Sequence, residues 1–276
     1  GQWVTAPNGD RIWRLRIVSP GATDVYLQYN HWRLVKPCEL WLYNDDHSMV
    51  LGPYTYIDNW DGTNITPVTL GEAVTLEYLV PAQVEDMGEL SVARVLHGFR
   101  HFINRHALEA NNPLDGFGDS MPCMINVQCF PAWQNEKLSV AMIIDPMGGA
   151  CSGTMINNVP HDGAPNFLTA NHCLNPNYTN WLFYFNYESP ECSPNTDGSY
   201  SHVISNASRL ASRASSPGSY FALLRLSRNR PDSPFIPRYE GWDRNNIPPS
   251  TTVGIHHPAA DVKKAHLDVD PATEHP

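Results

Sequence analysis

Along the first hundred residues, apolar and polar positions alternate with a period of two. In "RIWRLRIV" (11–18), Trp13, Leu15 and Ile17 fall on one side and Arg14 and Arg16 on the other. "DVYLQY" sets Val25, Leu27 and Tyr29 on one face, and "ELWLYN" and "VTLEYLVP" repeat the rhythm. Between them lie turn clusters such as "SPGAT", "YNDDHS" and "DNWDGTN", rich in the residues that tolerate tight turns. Short alternating runs at this spacing predict an antiparallel β-sandwich over residues 1–109. Nothing in that stretch carries a catalytic signature.

The pattern lapses in "ANNPLDGFGDSMP", which has little to bury, and residues 110–122 therefore read as a linker or processing segment. A second strand-rich block occupies residues 123–276, with "KLSVAMIIDP", "WLFYFNY", "YFALLRL" and "TTVGIHHP" as its apolar runs. No segment reads as a long helix and no internal repeat is visible. In "WLFYFNY", Trp181, Phe183, Phe185 and Tyr187 share a strand face. Burial in a barrel is expected of them, ahead of service as a stacking platform.

Composition narrows the function classes. An apolar fraction of 42% in 276 residues suits a globular protein with room for two domains. No apolar run is long enough for a membrane-spanning helix. A net charge of −10 with no basic stripe excludes a nucleic-acid partner, whose phosphates need Lys and Arg. The cysteines, Cys38, Cys123, Cys129, Cys151, Cys173 and Cys192, form no C-x-x-C pair. Their spacing suits disulfides better than a zinc ribbon, so the protein is expected to be secreted or extracytoplasmic. Oligomeric state is not legible.

Chemistry enters with "CSGTMINN" (151–158) and "TANHC" (169–173), where two cysteines bracket His172. Together they resemble the Cys-x-Gly…Thr-Ala-x-His-Cys signature of trypsin-like serine proteases. "PCMINVQC" (122–129), "FYFNYESPEC" (183–192), "FALLRL", "GWDR" (241–244) and "IHHPAADVKK" (255–264) are similar, in collinear order, to the bacterial lysyl endopeptidase family. The N-terminal half is similar to that family's pro-region, through "GDRIWRLRIVSPGA" and "GPYT". The resemblance implies an all-β chain: a sandwich pro-domain, then a chymotrypsin-like β-barrel domain cut short in its second barrel. It implies peptide-bond hydrolysis with protein or peptide substrates and no cofactor. It casts His172 as general base and pairs Cys151 with Cys173 and Cys129 with Cys192. Cys123 would pair with a cysteine downstream of Pro276. Cys38 gains no role, and a bridge from Cys38 to Cys123 stays open.

Two departures accompany these matches. The family's triad aspartate precedes the run that reads "FALLRL" here, and this chain has Tyr220 in that place. A carboxylate there fixes the histidine tautomer and stabilises the imidazolium. Even an amide in its stead lowers turnover about 10⁴-fold, and a tyrosine is neutral at pH 7. The family's nucleophilic serine sits in a Gly-x-Ser-Gly turn after "HHP", and no such turn follows Pro258. "FGDSMP" (Ser120) and "GACSG" (Ser152) imitate it, but both precede His172, against the chain order His, Asp, Ser. The nucleophile and the lysine-selective pocket are expected beyond Pro276, and the chain alone is expected to be inactive. The rival readings are a non-catalytic pseudoprotease that binds peptides or a surface partner, and an adhesive or carbohydrate-binding sandwich joined to an inactive barrel.

Metal readings are weaker. His97 and His101 in "HGFRH" stand four apart, yet no Glu adjoins the first and Gly98 opposes a helix. His256, His257 and Asp261 have ligand-like spacing, although the resemblance makes their stretch a loop near the substrate cleft. No metal is expected. Sequons occur at Asn64, Asn177 and Asn206.

Overall fold

The chain folds as two units, Gly1–Ile103 and Asn104–Pro276. The structure is a computed structural model that describes residues 1–98, 117–145, 149–176, 178–193, 196–214, 220–229, 231, 235–245 and 247–271. Its regular structure is all β apart from short 3₁₀ turns, and no helix among the described residues is long and apolar enough to cross a membrane.

The first unit contains β1 (Gln2–Thr5), β2 (Arg11–Val18), β3 (Asp24–Arg33), β4 (Glu39–Tyr43), β5 (Val50–Tyr54), β6 (Asn64–Ile65), β7 (Thr69–Leu70), β8 (Ala73–Val80) and β9 (Glu89–Gly98). One antiparallel sheet runs β1-β2-β8-β4-β5; in the other, β3 pairs with β6, β7 and β9. The period-two pattern explains the sandwich. Val25, Leu27 and Tyr29 from β3 meet Leu40, Leu42, Val74, Leu76 and Tyr78 from the facing sheet in one buried cluster. Trp32 anchors it, edge-on to Tyr29 at 4.7 Å and to Tyr54 at 5.6 Å. Arg14 and Arg16 point outward and pair with Glu77 and Asp45. Cys38 is a free buried thiol in this core, and Cys123, in the second unit, is a free exposed one. His97 lies on strand β9, where its Nδ1 meets the Ser19 hydroxyl at 2.8 Å; His101 lies outside the described residues.

The second unit adds β10 (Ile125–Asn126), β11 (Val140–Ile144), β12 (Ala150–Met155), β13 (Asn166–Thr169), β14 (Leu182–Phe185), β15 (Val203–Ser205), β16 (Ala207–Arg213), β17 (Phe221–Leu226), β18 (Thr252–His256) and β19 (Lys264–Asp268). Seven strands form one antiparallel sheet in the order β15-β14-β11-β12-β13-β17-β16, and β10-β19-β18 form another. The edge strands of the larger sheet are consecutive in the chain, joined by Asn206 alone. A flat seven-stranded sheet would hold those edges roughly 29 Å apart, whereas one intervening residue bridges about 7 Å at most. The sheet must therefore curl into a barrel. At the seam, Asn206 N–H donates to the Trp181 carbonyl at 2.9 Å, and its own carbonyl accepts from Ser227 N–H at 3.2 Å. Its φ of 70° is one that Asn adopts more readily than most residues.

Inside the barrel Phe167, Trp181, Phe183 and Phe185 pack with Ile143, Met155, Leu224 and Leu226. Tyr187, which shares the stripe, is fully buried against Tyr200 and His257. The opposite face of β14 is buried as well: Leu182 and Tyr184 are covered, with Tyr200 edge-on to Tyr184. Asn64 and Asn206 are buried, which removes them as glycan acceptors in the folded protein; Asn177 lies outside the described residues.

Polar groups stitch the smaller sheet to the chain before it. Of residues 110–122, those from 117 onward are described, and their backbone turns toward Asp261. The fully buried Asp261 carboxylate accepts from Gly118 N–H (2.9 Å), the Ser120 hydroxyl (2.5 Å) and Val262 N–H (2.7 Å), with Lys264 Nζ at 3.4 Å. Nearby, Glu188 pairs with buried Lys137 and lies 3.8 Å from Lys263, whose ammonium also donates to the Lys137 carbonyl at 2.7 Å. Two ammonium groups thus share one carboxylate in the interior. Burial, opposed by the attraction of Glu188, pushes the Lys263 ammonium down to about 8.

The Lys263 shift fixes a pH effect. Between about pH 8 and the ordinary lysine value the unfolded chain holds a proton that the folded chain has released, so stability from this group rises with pH there. A shift of this size is worth about 3 kcal/mol. Urea denaturation at pH 7.5 and pH 9.5 is expected to give a smaller loss, or a gain, of stability for the native chain relative to Lys263→Met, which lacks the group. Parallel pH profiles for the two would contradict it.

Candidate active site

His172 is presented by local structure that the sequence forces. β13 ends at Thr169, whose hydroxyl donates to the Ser152 carbonyl of β12 at 2.8 Å, and the chain then makes one 3₁₀ turn over Asn171–Cys173. Cys173 at the end of that turn is bonded to Cys151 on β12, with an S–S distance of 2.10 Å and a Cα separation of 6.2 Å. A nitrogen of His172 and the two sulfurs all lie within 4.8 Å of one another. Such a trio has metal-site dimensions, but both sulfurs are committed to the bridge and are not thiolates. The His172 side chain is exposed at the barrel rim. A second bridge, Cys129–Cys192, with a Cα separation of 4.7 Å, joins the start of the unit to the loop after Tyr187.

Strand register brings in the next residue. β13 pairs with β17 such that Thr169 faces Ala222, so the residue two before Ala222 is carried alongside the turn that follows Thr169. That residue is Tyr220. Its ring stacks on the His172 imidazole at 5.7 Å between centroids with an interplanar angle of 25°, and it is itself 48% exposed. A stacked phenol covers the ring face and supplies no charge to a ring nitrogen, whereas a triad carboxylate acts in the ring plane by hydrogen bonding.

The serines that imitate a nucleophile turn are engaged elsewhere. Ser152 Oγ accepts from His257 N–H at 2.8 Å, and Ser120 Oγ donates to Asp261. His256, His257 and Asp261 do not converge. His256 faces His266 edge-on at 5.6 Å, while His257 is buried, stacked on Tyr187, with Nδ1 3.0 Å from the Asp261 carbonyl. Burial holds His257 well below the usual histidine range, with the Lys263 charge acting in the same direction. Asp261 turns its carboxylate to the 118–120 backbone instead.

Beside His172 opens a cavity of about 280 Å³, walled by Ile143, the Cys151–Cys173 bridge, Trp181, Asp145 and Asn175. Asp145 and Asn175 attract no notice in the sequence. The one available signal was an acidic residue closing the apolar run "VAMIID".

Residues 117–275 match the family model described as lysyl endopeptidase, C-terminal domain. The chain belongs to the lysyl endopeptidase family. A curated lysyl endopeptidase of Pseudomonas aeruginosa is 27% identical to it, across 72% of this chain and 44% of that protein. The chain thus spans less than half the length of the curated relative it matches. The described barrel strands and both disulfide bridges fall inside the residues that the family model matches.

The Cys151–Cys173 bridge closes a loop of moderate length, and removing it is expected to cost about 3 kcal/mol. Thermal unfolding of the double variant Cys151→Ser/Cys173→Ser should show a clearly lowered Tm at unchanged cooperativity. An unaltered Tm would mean that the barrel, and not the bridge, holds the turn.

Proposed function

We propose that the chain is part of a secreted serine endopeptidase precursor of the lysyl endopeptidase type, in which His172 is the general base. In this reading residues 1–109 are a pro-region-like sandwich, 110–122 a processing segment and 123–276 a partial protease domain. The supporting observation is the placement of His172: exposed at the barrel rim, tied to β12 through Cys151–Cys173, in a chain of this family. In the whole protein His172 takes the proton of a serine nucleophile and returns it to the leaving amine. Substrates are proteins or peptides. Paired cysteines support an extracytoplasmic location.

The chain by itself is proposed to be inactive. Ser120 gives its hydroxyl proton to Asp261, Ser152 holds the His257 N–H and precedes His172 in the chain, and Tyr220 stands where a carboxylate is needed. An oxyanion hole requires backbone donors around a nucleophile, and no Gly-x-Ser-Gly turn follows Pro258. The stacked Tyr220 also favours a second reading, a pseudoprotease that keeps the histidine loop for peptide binding alone.

Hydrolysis of a lysyl amide by the whole protein separates the two. For the peptidase, His172→Ala is expected to lower kcat/KM about 10³-fold or more, and Tyr220→Asp to raise kcat about 10²-fold. A whole protein in which both variants leave hydrolysis unchanged would refute the role given to His172. Absence of any hydrolysis even with Tyr220→Asp would favour the pseudoprotease.

A further inference from the structure

The cavity beside His172 contains a buried acidic side chain, Asp145, with which no described cationic residue pairs. Asp145 follows the last residue of β11, five successive buried positions that end in Ile144. Its backbone N–H donates to the Gly149 carbonyl at 2.9 Å, closing the turn into β12. The side chain is only 8% exposed. Asn175 Nδ2 donates to Oδ2 at 2.6 Å, and Oδ1 is buried with no hydrogen-bond partner. Among the described residues no Lys, Arg or His forms an ion pair with Asp145.

A buried carboxylate oxygen left in this state is costly unless something enters to satisfy it. The cavity shows what fits. Ile143, Trp181 and the Cys151–Cys173 bridge give apolar walls suited to an alkyl stem, and the exposed His172 borders the same space. Asn175 already holds Oδ2, so one oxygen remains. A guanidinium fork binds a carboxylate best through both oxygens, whereas an ammonium is a compact charge content with one.

We propose that this cavity is a subsite for a primary alkylammonium group, namely a lysine side chain of a bound peptide, with Asp145 Oδ1 as its acceptor. It is separate from the lysine-selective pocket that the family resemblance implies, and gives the histidine face a recognition position of its own. Identifying the ligand as a peptide rests on the peptidase reading; the affinity for an ammonium group does not.

The test uses the 276-residue chain and no catalysis, so its failure leaves the role of His172 untouched. n-Butylammonium, n-butylguanidinium and n-butanol are titrated into the ¹⁵N-labelled chain while the Trp181 indole and Asn175 amide signals are followed. n-Butylammonium is expected to shift both saturably, and the neutral alcohol to bind about tenfold more weakly, the worth of one charge-assisted hydrogen bond. Asp145→Asn should bring the ammonium down to the level of the alcohol. If that variant does not fold, added salt must weaken the ammonium titration of the native chain while leaving the alcohol unaffected. Equal binding of ammonium and alcohol, undiminished ammonium binding by Asp145→Asn, or salt-independent binding would overturn the proposal. Tighter binding of the guanidinium would overturn the choice of lysine.

Discussion

One covalent bond, between Cys151 on β12 and Cys173 at the end of a single 3₁₀ turn, sets the geometry of everything near His172. A turn so short has few internal hydrogen bonds and would sample many arrangements in isolation. The barrel offers it a fixed base, because β13 is paired on both sides, to β12 and to β17. The bridge adds a second attachment beyond the turn. With both ends held, the imidazole has little freedom except rotation of its own side chain, and Tyr220 lies over one ring face.

The same staple also forms a wall. Its sulfurs close one side of the cavity that holds Asp145, so the element that positions the histidine also shapes the space beside it. Barrel closure through Asn206 acts further back in this chain of dependence. It keeps β14 and β17 on the curled sheet and so places Trp181, another wall residue, against the core. Sequence, closure, staple and cavity are links in one series, and a change in any early link is felt at the histidine.

Much of this was legible in the sequence, for physical reasons that also mark where legibility stops. β2, β3, β4 and β8 announce themselves because in each one face is more deeply covered than the other, which writes a period of two into the residues. β9 and β16 carry no such pattern. Their side chains are largely outside the core, and they are strands because β3 and β17 offer backbone partners, a fact of pairing and not of local composition. The stripe from Trp181 to Tyr187 pointed to burial, but alternation gave no hint that Leu182 and Tyr184 would be covered from the other side. The ionic interior was hidden too. "DVKK" looks like a solvated turn, yet Asp261, Lys263 and Lys264 are all buried because partners far apart in the chain, Gly118, Ser120, Lys137 and Glu188, come to meet them. His172 was legible through its cysteines; Asp145 was not, since its significance lies in a missing partner that appears only in three dimensions.

The central claim is that the bridge, working on a short turn, holds the His172 ring against Tyr220. It is tested most directly by measuring proton–proton NOEs between the two rings in the oxidised chain and again after selective reduction of Cys151–Cys173. The account predicts clear contacts in the oxidised protein that fade on reduction while the signals of the barrel interior persist. Ring contacts of equal strength before and after reduction, in a still-folded barrel, would contradict it.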